Sequence, residues 1–345
     1  MNKLKINMYA GGLKVEGQGV GANFFEQVNL VKKIDSLDIS INSKKPKKFD
    51  INHFHTVNPS FYFKLKKKKI NVCYVHFIPD ENDGSLKMPK WMFKIYKWYV
   101  FKFYRKADEC IVVNPYYIND LVNKVGINRE KITYIPNYVS NEKFYKYDDA
   151  KISSLKDQYN INKDKFIVLG VGQTQTRKGI FDFVEVAKKN PDILFVWAGG
   201  FSFGKLTDGY EKIRNIIENP PANVKFLGII PREKMNGVYN LADMLFLPSY
   251  QELFPMTLLE CINIEIPFLV RDLDLYKDIF LSPYLVGKNN DEFSDLINKL
   301  RNDRDFNSLV RSYSLQIKNF YNENNVKKLW ENYYFRIYNK YPEKH

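Results

Sequence analysis

Short apolar runs, each followed by a stretch with helical spacing, recur along the whole chain, and this alternation narrows the fold more than any other feature. In the second half they read "FIVLGVG" (166–172), "ILFVWAGG" (193–200), "VKFLG" (224–228), "MLFLPS" (244–249) and "PFLV" (267–270); in the first half they fall at 5–9, 51–54, 71–75 and 109–113. A strand that is apolar on both faces has to be covered on both, and crossover helices do this only around a mostly parallel sheet. At 345 residues the chain is too long for one comfortable core. The expected fold class is therefore α/β, with two doubly wound, Rossmann-like domains and a ligand cleft. The polar stretch 146–158 carries no strand pattern, so the boundary is drawn there, giving domains 1–150 and 151–320. Segment 321–345 is an amphipathic helix expected to cross back to the first domain.

Composition excludes several classes. With 45% hydrophobic and 16% aromatic residues the chain is globular rather than disordered. Cys73, Cys110 and Cys261 lie far apart, which suggests neither a disulfide framework nor a zinc site and points to a reducing cytosol. No run has the length of a secretion signal's apolar core or of a membrane span, so membrane contact is expected to be peripheral, on the inner face of the cell membrane. The net charge of +14 is unevenly shared: residues 1–150 carry +11 and the remainder +3. A field of that sign attracts nucleic acid, anionic membrane or acidic small molecules, and charge alone does not choose among them.

Ligands of open parallel sheets sit beyond the carboxyl ends of the strands, which singles out four places. After the first strand comes "GGLKVEGQGVGANFF", where Gly17, Gly19 and Gly21 precede a helix and allow close approach of a phosphate; a flexible turn is the plain alternative. In the same position of the second half, "GVGQTQTRKGIFDF" sets Arg177 and Lys178 at a helix start. The helix dipole disfavours cations there, so a compensating anion, a diphosphate, is expected rather than an exposed basic turn. His76 ends an apolar strand and suits a sugar hydroxyl, whereas His53 and His55 read as core histidines. Lastly, "PSYQELFPMTLLE" holds Glu252 in a loop, Pro255 at a helix start and Glu260 inside that helix. Each carboxylate can accept from two neighbouring hydroxyls, as on a ribose or hexose. A ligand with a central diphosphate and hydroxyl-rich ends is a nucleotide sugar.

Over nearly its full length the chain resembles the GT-B glycosyltransferases of family 4, the retaining enzymes. The motifs that carry the resemblance are "GVGQTQTRKG", "WAGG", "VKFLGIIPREKMNGVYNLADMLFLPS" and "ELFPMTLLE". It implies that Glu252 contacts the donor hexose, that Glu260 binds the ribose hydroxyls, and that the backbone at Phe254, Met256 and Thr257 holds the diphosphate. It further implies Lys178 as the basic partner of the diphosphate, with Arg177 standing in for a guanidinium that relatives carry where this chain has Gln173. His76 is implied near the donor sugar and Ile230 near the base; the phosphate role of Gly19 and Gly21 rests on their position alone. The chain departs from the pattern at Pro255, which has no N–H where relatives usually have glycine. The resemblance implies retention by attack of the acceptor on the face the diphosphate leaves. No cofactor or metal is expected, Asp272 and Asp274 being read as a loop after a strand.

The segment "KWMFKIYKWYVFKFYRK" (90–106) contains six basic and eight aromatic residues. On a helical wheel Lys90, Lys94, Lys97 and Arg105 share one arc, with Trp91 and Trp98 at its edge, the pattern of an interfacial helix. An anionic membrane surface and a glycolipid acceptor are the expected partners, beside a UDP-hexose donor. Within the family the chain is similar to bacterial diglycosyl diacylglycerol synthases, which transfer glucose or galactose to monoglycosyl diacylglycerol. A capsule or exopolysaccharide transferase is the nearest alternative. A nucleic-acid-binding protein would leave Glu252 and Glu260 idle and lacks a base-reading module, so no nucleic-acid partner is expected.

Overall fold

A computed structural model of the chain describes residues 3–12, 19–79, 89–201, 204, 207–280 and 283–344. Two compact units emerge, one made of the described chain up to Tyr138 together with the segment from Tyr321 onward, the other of Val139–Phe320. The change of unit thus comes at Val139, ahead of the expected boundary after 150 and of the polar stretch at 146–158, most of which forms the helix Asp149–Gln158. Side chains explain the difference. Asn236 and Asn240 accept from the backbone N–H of Tyr145 and Tyr147, and Asn263 donates to the Val139 carbonyl, so this connection is fastened to the second unit.

In the first unit β1 (Leu4–Tyr9), β2 (Leu37–Ile41), β3 (Ile51–Phe54), β4 (Ile70–Val75), β5 (Glu109–Val112) and β6 (Ile132–Tyr134) form a parallel sheet in the order β2-β1-β3-β4-β5-β6. The second unit repeats the plan. Its strands β7 (Ile167–Val171), β8 (Leu194–Ala198), β9 (Val224–Gly228), β10 (Met244–Leu247), β11 (Phe268–Arg271) and β12 (Leu285–Gly287) are parallel in the order β12-β11-β10-β7-β8-β9. The nine expected strands are present. The three that the apolar runs did not announce, β2, β6 and β12, all lie at sheet edges, where only one neighbour and partial cover remove the need for an unbroken apolar run.

The chain direction reverses between β1 and β3 in the first sheet and between β7 and β10 in the second, so each sheet has a switch point where loops part and a ligand can enter. Behind the second switch point, Phe183 packs edge-on against Trp197 (5.1 Å) and near-parallel to Phe246 (5.9 Å), all three buried. Burying each such ring stabilises the unit by about 1.5–3 kcal/mol, which makes the floor under the site stiff. The terminal helix Glu323–Lys340 belongs to the first unit: Trp330, Tyr333 and Tyr334 are buried, Tyr334 Oη lies 2.9 Å from His53 Nδ1, and Lys340 and Tyr341 both donate to buried Glu109 at 2.7 Å.

Candidate active site

At the second switch point two loops are cross-tied. After β7 a short turn, Thr176–Lys178, leads into Gly179 and the helix Ile180–Lys189. Gly179 has φ +71°, and a Cβ there would lie 2.2 Å from the Pro248 carbonyl oxygen, so no other residue permits both the turn and the contact. The Tyr250 N–H donates to the Arg177 carbonyl (2.8 Å), while the Arg177 guanidinium reaches the Gln251 carbonyl (3.4 Å) and the Gln175 side chain (3.0 Å). Next along the chain, Glu252 Oε1 accepts from Lys178 Nζ at 2.5 Å, the two side chains being 8% and 16% exposed.

The anion beside Lys178 in the structure is Glu252 of the same chain. It does not neutralise the place entirely: burial pulls the Lys178 pKa below the ordinary lysine value and neighbouring Arg177 pulls the same way, outweighing the carboxylate. Two cations facing one carboxylate leave a site whose charged state a further anion would favour.

Glu260 is held differently. It sits in the second turn of the helix Met256–Ile264, 2% exposed, accepting from Arg232 Nη1 on one oxygen and from Tyr239 Oη on the other, each at 2.6 Å. Arg232 and Tyr239 lie seven apart on the helix Arg232–Asn240 and so share a face. Neither was singled out from the sequence, although that spacing two turns apart was the available signal. Each oxygen keeps a second lone pair for a hydroxyl. Between the two acids the helix starts at Pro255 with φ −66° and ψ 125°, with no side-chain cap and no acid in its first turn. Its dipole therefore offers positive potential where Met256 and Thr257 begin the helix, while Phe254 packs beneath, buried. Half-buried Ile230 follows β9, next to Ile229, which lies against Gly200.

In the first unit the helix Gly19–Lys32 begins at Gly19; Gly21 has open space where a Cβ would stand, and Gly17 lies outside the described residues. His76 follows β4 and meets neighbours at both ring nitrogens, Asn23 Nδ2 at Nδ1 and His55 Nδ1 at Nε2, each at 3.4 Å. An amide donor fixes the tautomer: Nδ1 accepts, so Nε2–H donates to His55. His55 and His53 stack on one another (4.5 Å), consistent with their reading as core histidines. Burial holds His53 and His76 down at about 3 and His55 well below the usual histidine range, so all three are neutral near pH 7.

The helix Lys90–Lys106 forms over the expected residues, and its outward face carries Lys90, Lys94 and Arg105 of the expected basic arc beside apolar side chains. Trp91 (65%), Ile95 (58%) and Trp98 (59%) make an exposed apolar ladder with Met92, and Lys90 and Lys94 lie on the same outer side. Arg105 is exposed, and its Nε donates to the Val125 carbonyl at 2.5 Å, closing the helix onto the next turn. Lys97 is half-buried with its ammonium over the Phe101 ring (5.4 Å). Val100, Phe101, Phe103 and Tyr104 form the inner face. Among the described residues no helix is long and apolar enough to cross a membrane, no group of three acids, histidines or cysteines is placed to hold a metal, and the three cysteines are free and buried. Asp272 lies in the loop after β11 with its N–H donating to the Gly287 carbonyl, whereas Asp274, expected in that loop, opens the short helix Asp274–Lys277 and pairs with Lys277 at the surface.

Residues 151–328 match the family model described as "Glycosyl transferases group 1", and residues 30–143 match "Glycosyltransferase Family 4". The chain is 41% identical over 335 residues, covering 96% of it and 89% of the relative, to an alpha-galactosylglucosyldiacylglycerol synthase of Streptococcus pneumoniae (strain ATCC BAA-255 / R6). It is 25% identical to a processive diacylglycerol alpha-glucosyltransferase of Acholeplasma laidlawii, covering 86% of this chain and 88% of that protein. Among solved structures, Anabaena HepE in complex with UDP and glucose superposes with a TM-score of 0.74 at 12% identity, covering 95% of this chain and 98% of that one. Sucrose-phosphate synthase from Thermosynechococcus elongatus gives 0.78 at 14% identity, covering 98% and 100%.

Proposed function

Because the chain belongs to the group 1, family 4 glycosyltransferases, we propose that it transfers glucose or galactose from a UDP-hexose, with retention, to monoglucosyl diacylglycerol at an anionic membrane surface. Its fold is GT-B, with two doubly wound domains, and it is a glycosyltransferase. The product in this reading is a diglycosyl diacylglycerol. One observation carries the donor half: at the switch point of the second sheet, two buried carboxylates flank an uncapped helix start and face two cations. A nucleotide sugar presents hydroxyls, a diphosphate and hydroxyls again, in that order. The relative at 41% identity supports the lipid acceptor, and the exposed ladder Trp91, Ile95 and Trp98 with nearby lysines supports a lipid surface.

In this reading Lys178 and Arg177 take the diphosphate together with the helix dipole at Met256 and Thr257. Lys178 then exchanges Glu252 for phosphate oxygens, which frees Glu252 to accept from hexose hydroxyls, while Glu260 accepts from the ribose. When the bond between the sugar's anomeric carbon and the β-phosphate oxygen breaks, its electron pair stays with the diphosphate, and the fixed cations stabilise the charge. The acceptor hydroxyl adds to the anomeric carbon on the same face, and its proton passes to the departing phosphate oxygen. The reading assigns no step to a metal.

Purified protein incubated with labelled UDP-glucose or UDP-galactose and vesicles of phosphatidylglycerol with monoglucosyl diacylglycerol tests this. A diglycosyl lipid with the α-configuration is the expected product. Transfer only to a soluble or diphosphate-linked sugar, or preference for duplex DNA over anionic vesicles in a salt titration, would overturn the acceptor assignment.

A further inference from the structure

Behind the Lys178–Glu252 pair lies a second set of contacts with no direct part in the reaction. Arg271, the last residue of β11, is 9% exposed and reaches three ways: Nε donates to the Pro248 carbonyl (3.0 Å), Nη1 to the Lys288 carbonyl (3.3 Å), and Nη2 lies 3.1 Å from Asp182 Oδ2. Its guanidinium also covers the Tyr250 ring at 4.0 Å, and Tyr250 Oη donates to the same Asp182 oxygen at 2.7 Å. These partners sit on the two segments that carry the site. Asp182 lies four residues after Lys178 on the helix that follows it, and Tyr250 lies two residues before Glu252. The two segments are therefore joined twice, by Lys178 and Glu252 in front and by Asp182, Tyr250 and Arg271 behind.

We propose that Arg271, acting through Asp182 and Tyr250, is a positioning residue that sets Glu252 for the donor hexose. The inference rests on the reading of Glu252 given above. A buried ion pair adds little stability compared with well-packed apolar side chains, so stability is a poor reason to place a guanidinium here. What a planar fork does well is hold several fixed acceptors at once. Here they are one carbonyl on the Glu252 loop and one carbonyl after β12, with the carboxylate on the Lys178 helix in ion-pair reach. If the loop moved by about 1 Å, transfer would slow by a factor on the order of 100, because reacting groups tolerate little misplacement. Lysine, a single point donor, cannot span the same three partners.

The test compares the dissociation constants of UDP and of UDP-hexose, using the sugar that the enzyme transfers, measured by calorimetry on the full chain, with kcat alongside. The ratio of the two constants reports the hexose contacts. Glu252→Gln is expected to remove most of that ratio. Arg271→Met should bring the ratio to the Glu252→Gln level, lower kcat by roughly 10- to 100-fold, and leave the affinity for UDP within about twofold, with Arg271→Lys only partly restoring it. A merely structural role would weaken UDP and UDP-hexose alike. Tyr250→Phe, at a half-exposed ring, removes one hydrogen bond with little risk to folding and should lower the ratio in the same direction; should Arg271→Met fail to fold, this variant decides. A ratio lost in Glu252→Gln but kept in Arg271→Met or Tyr250→Phe overturns this inference alone. A ratio unchanged in Glu252→Gln overturns the role given to Glu252, and this inference with it.

Discussion

Lys178→Met removes the ammonium of a pair 2.5 Å long whose members are 16% and 8% exposed. Breaking a buried pair by deleting one partner costs about 3–5 kcal/mol, since the remaining charge is left without solvent or counter-ion. Lys178 keeps some contact with water, which places the loss near the lower end, about 3 kcal/mol. For a unit of this size each kcal/mol lowers Tm by about 2–4 °C, so a fall of roughly 6–12 °C is expected in differential scanning fluorimetry. Turnover should fall by about 100- to 1,000-fold, the usual effect of losing one group that stabilises a leaving charge. A variant with Tm within 2 °C of the parent and turnover within threefold, on these order-of-magnitude scales, would refute both the burial argument and the leaving-group role.

Glu260→Ala should weaken UDP and UDP-hexose equally, by about 10-fold or more for the loss of a charge-assisted hydrogen bond to ribose; equal affinities for parent and variant in calorimetry would remove Glu260 from the nucleotide site. Replacing both Trp91 and Trp98 by alanine should weaken sedimentation with anionic vesicles by roughly 30-fold, taking about 1 kcal/mol for each half-exposed ring. Unfolded chains take up protons on their histidines below about pH 6.5, whereas His53 and His76 do so in the fold only near 3. Stability supplied by the neutral rings is thus present above pH 6.5 and lost as pH falls toward 3, by about 1.4 kcal/mol per pH unit for each ring. His55→Gln should flatten that acid slope in denaturant titrations at pH 4.5–6. Because His76 stays neutral, kcat/KM should show no limb near pH 6.5; its alkaline limb should come below the ordinary lysine value, since Lys178 is pulled down by burial.

How far the residues alone could be read depended on what each had to satisfy. Strands covered on both faces must be apolar throughout, so the eight interior strands stood out, with edge strand β9 beside them, and their alternation with helices led to two parallel sheets and to loops at the strand ends. Glu252, Lys178 and Glu260 were legible for the same reason: charged residues directly after apolar strands or inside an apolar helix have few structural excuses. The edge strands β2, β6 and β12 escaped because one covered face demands no such run. Partners escaped as well. That Lys178 meets Glu252, that Glu260 rests on Arg232 and Tyr239, and that Arg271 ties Asp182 to Tyr250 join residues 21 to 89 positions apart, and no local pattern encodes which distant side chain completes a buried charge. The Lys90–Lys106 helix shows the same limit: periodicity marked its two faces, but only packing decided that Ile95 joins the tryptophans outside and that the Lys97 ammonium lies over the Phe101 ring. Residue order determined the sheets and the chemistry available at their ends, because burial acts on each strand by itself; tertiary structure decided which charges neutralise one another, because that depends on distances closed only by the folded chain.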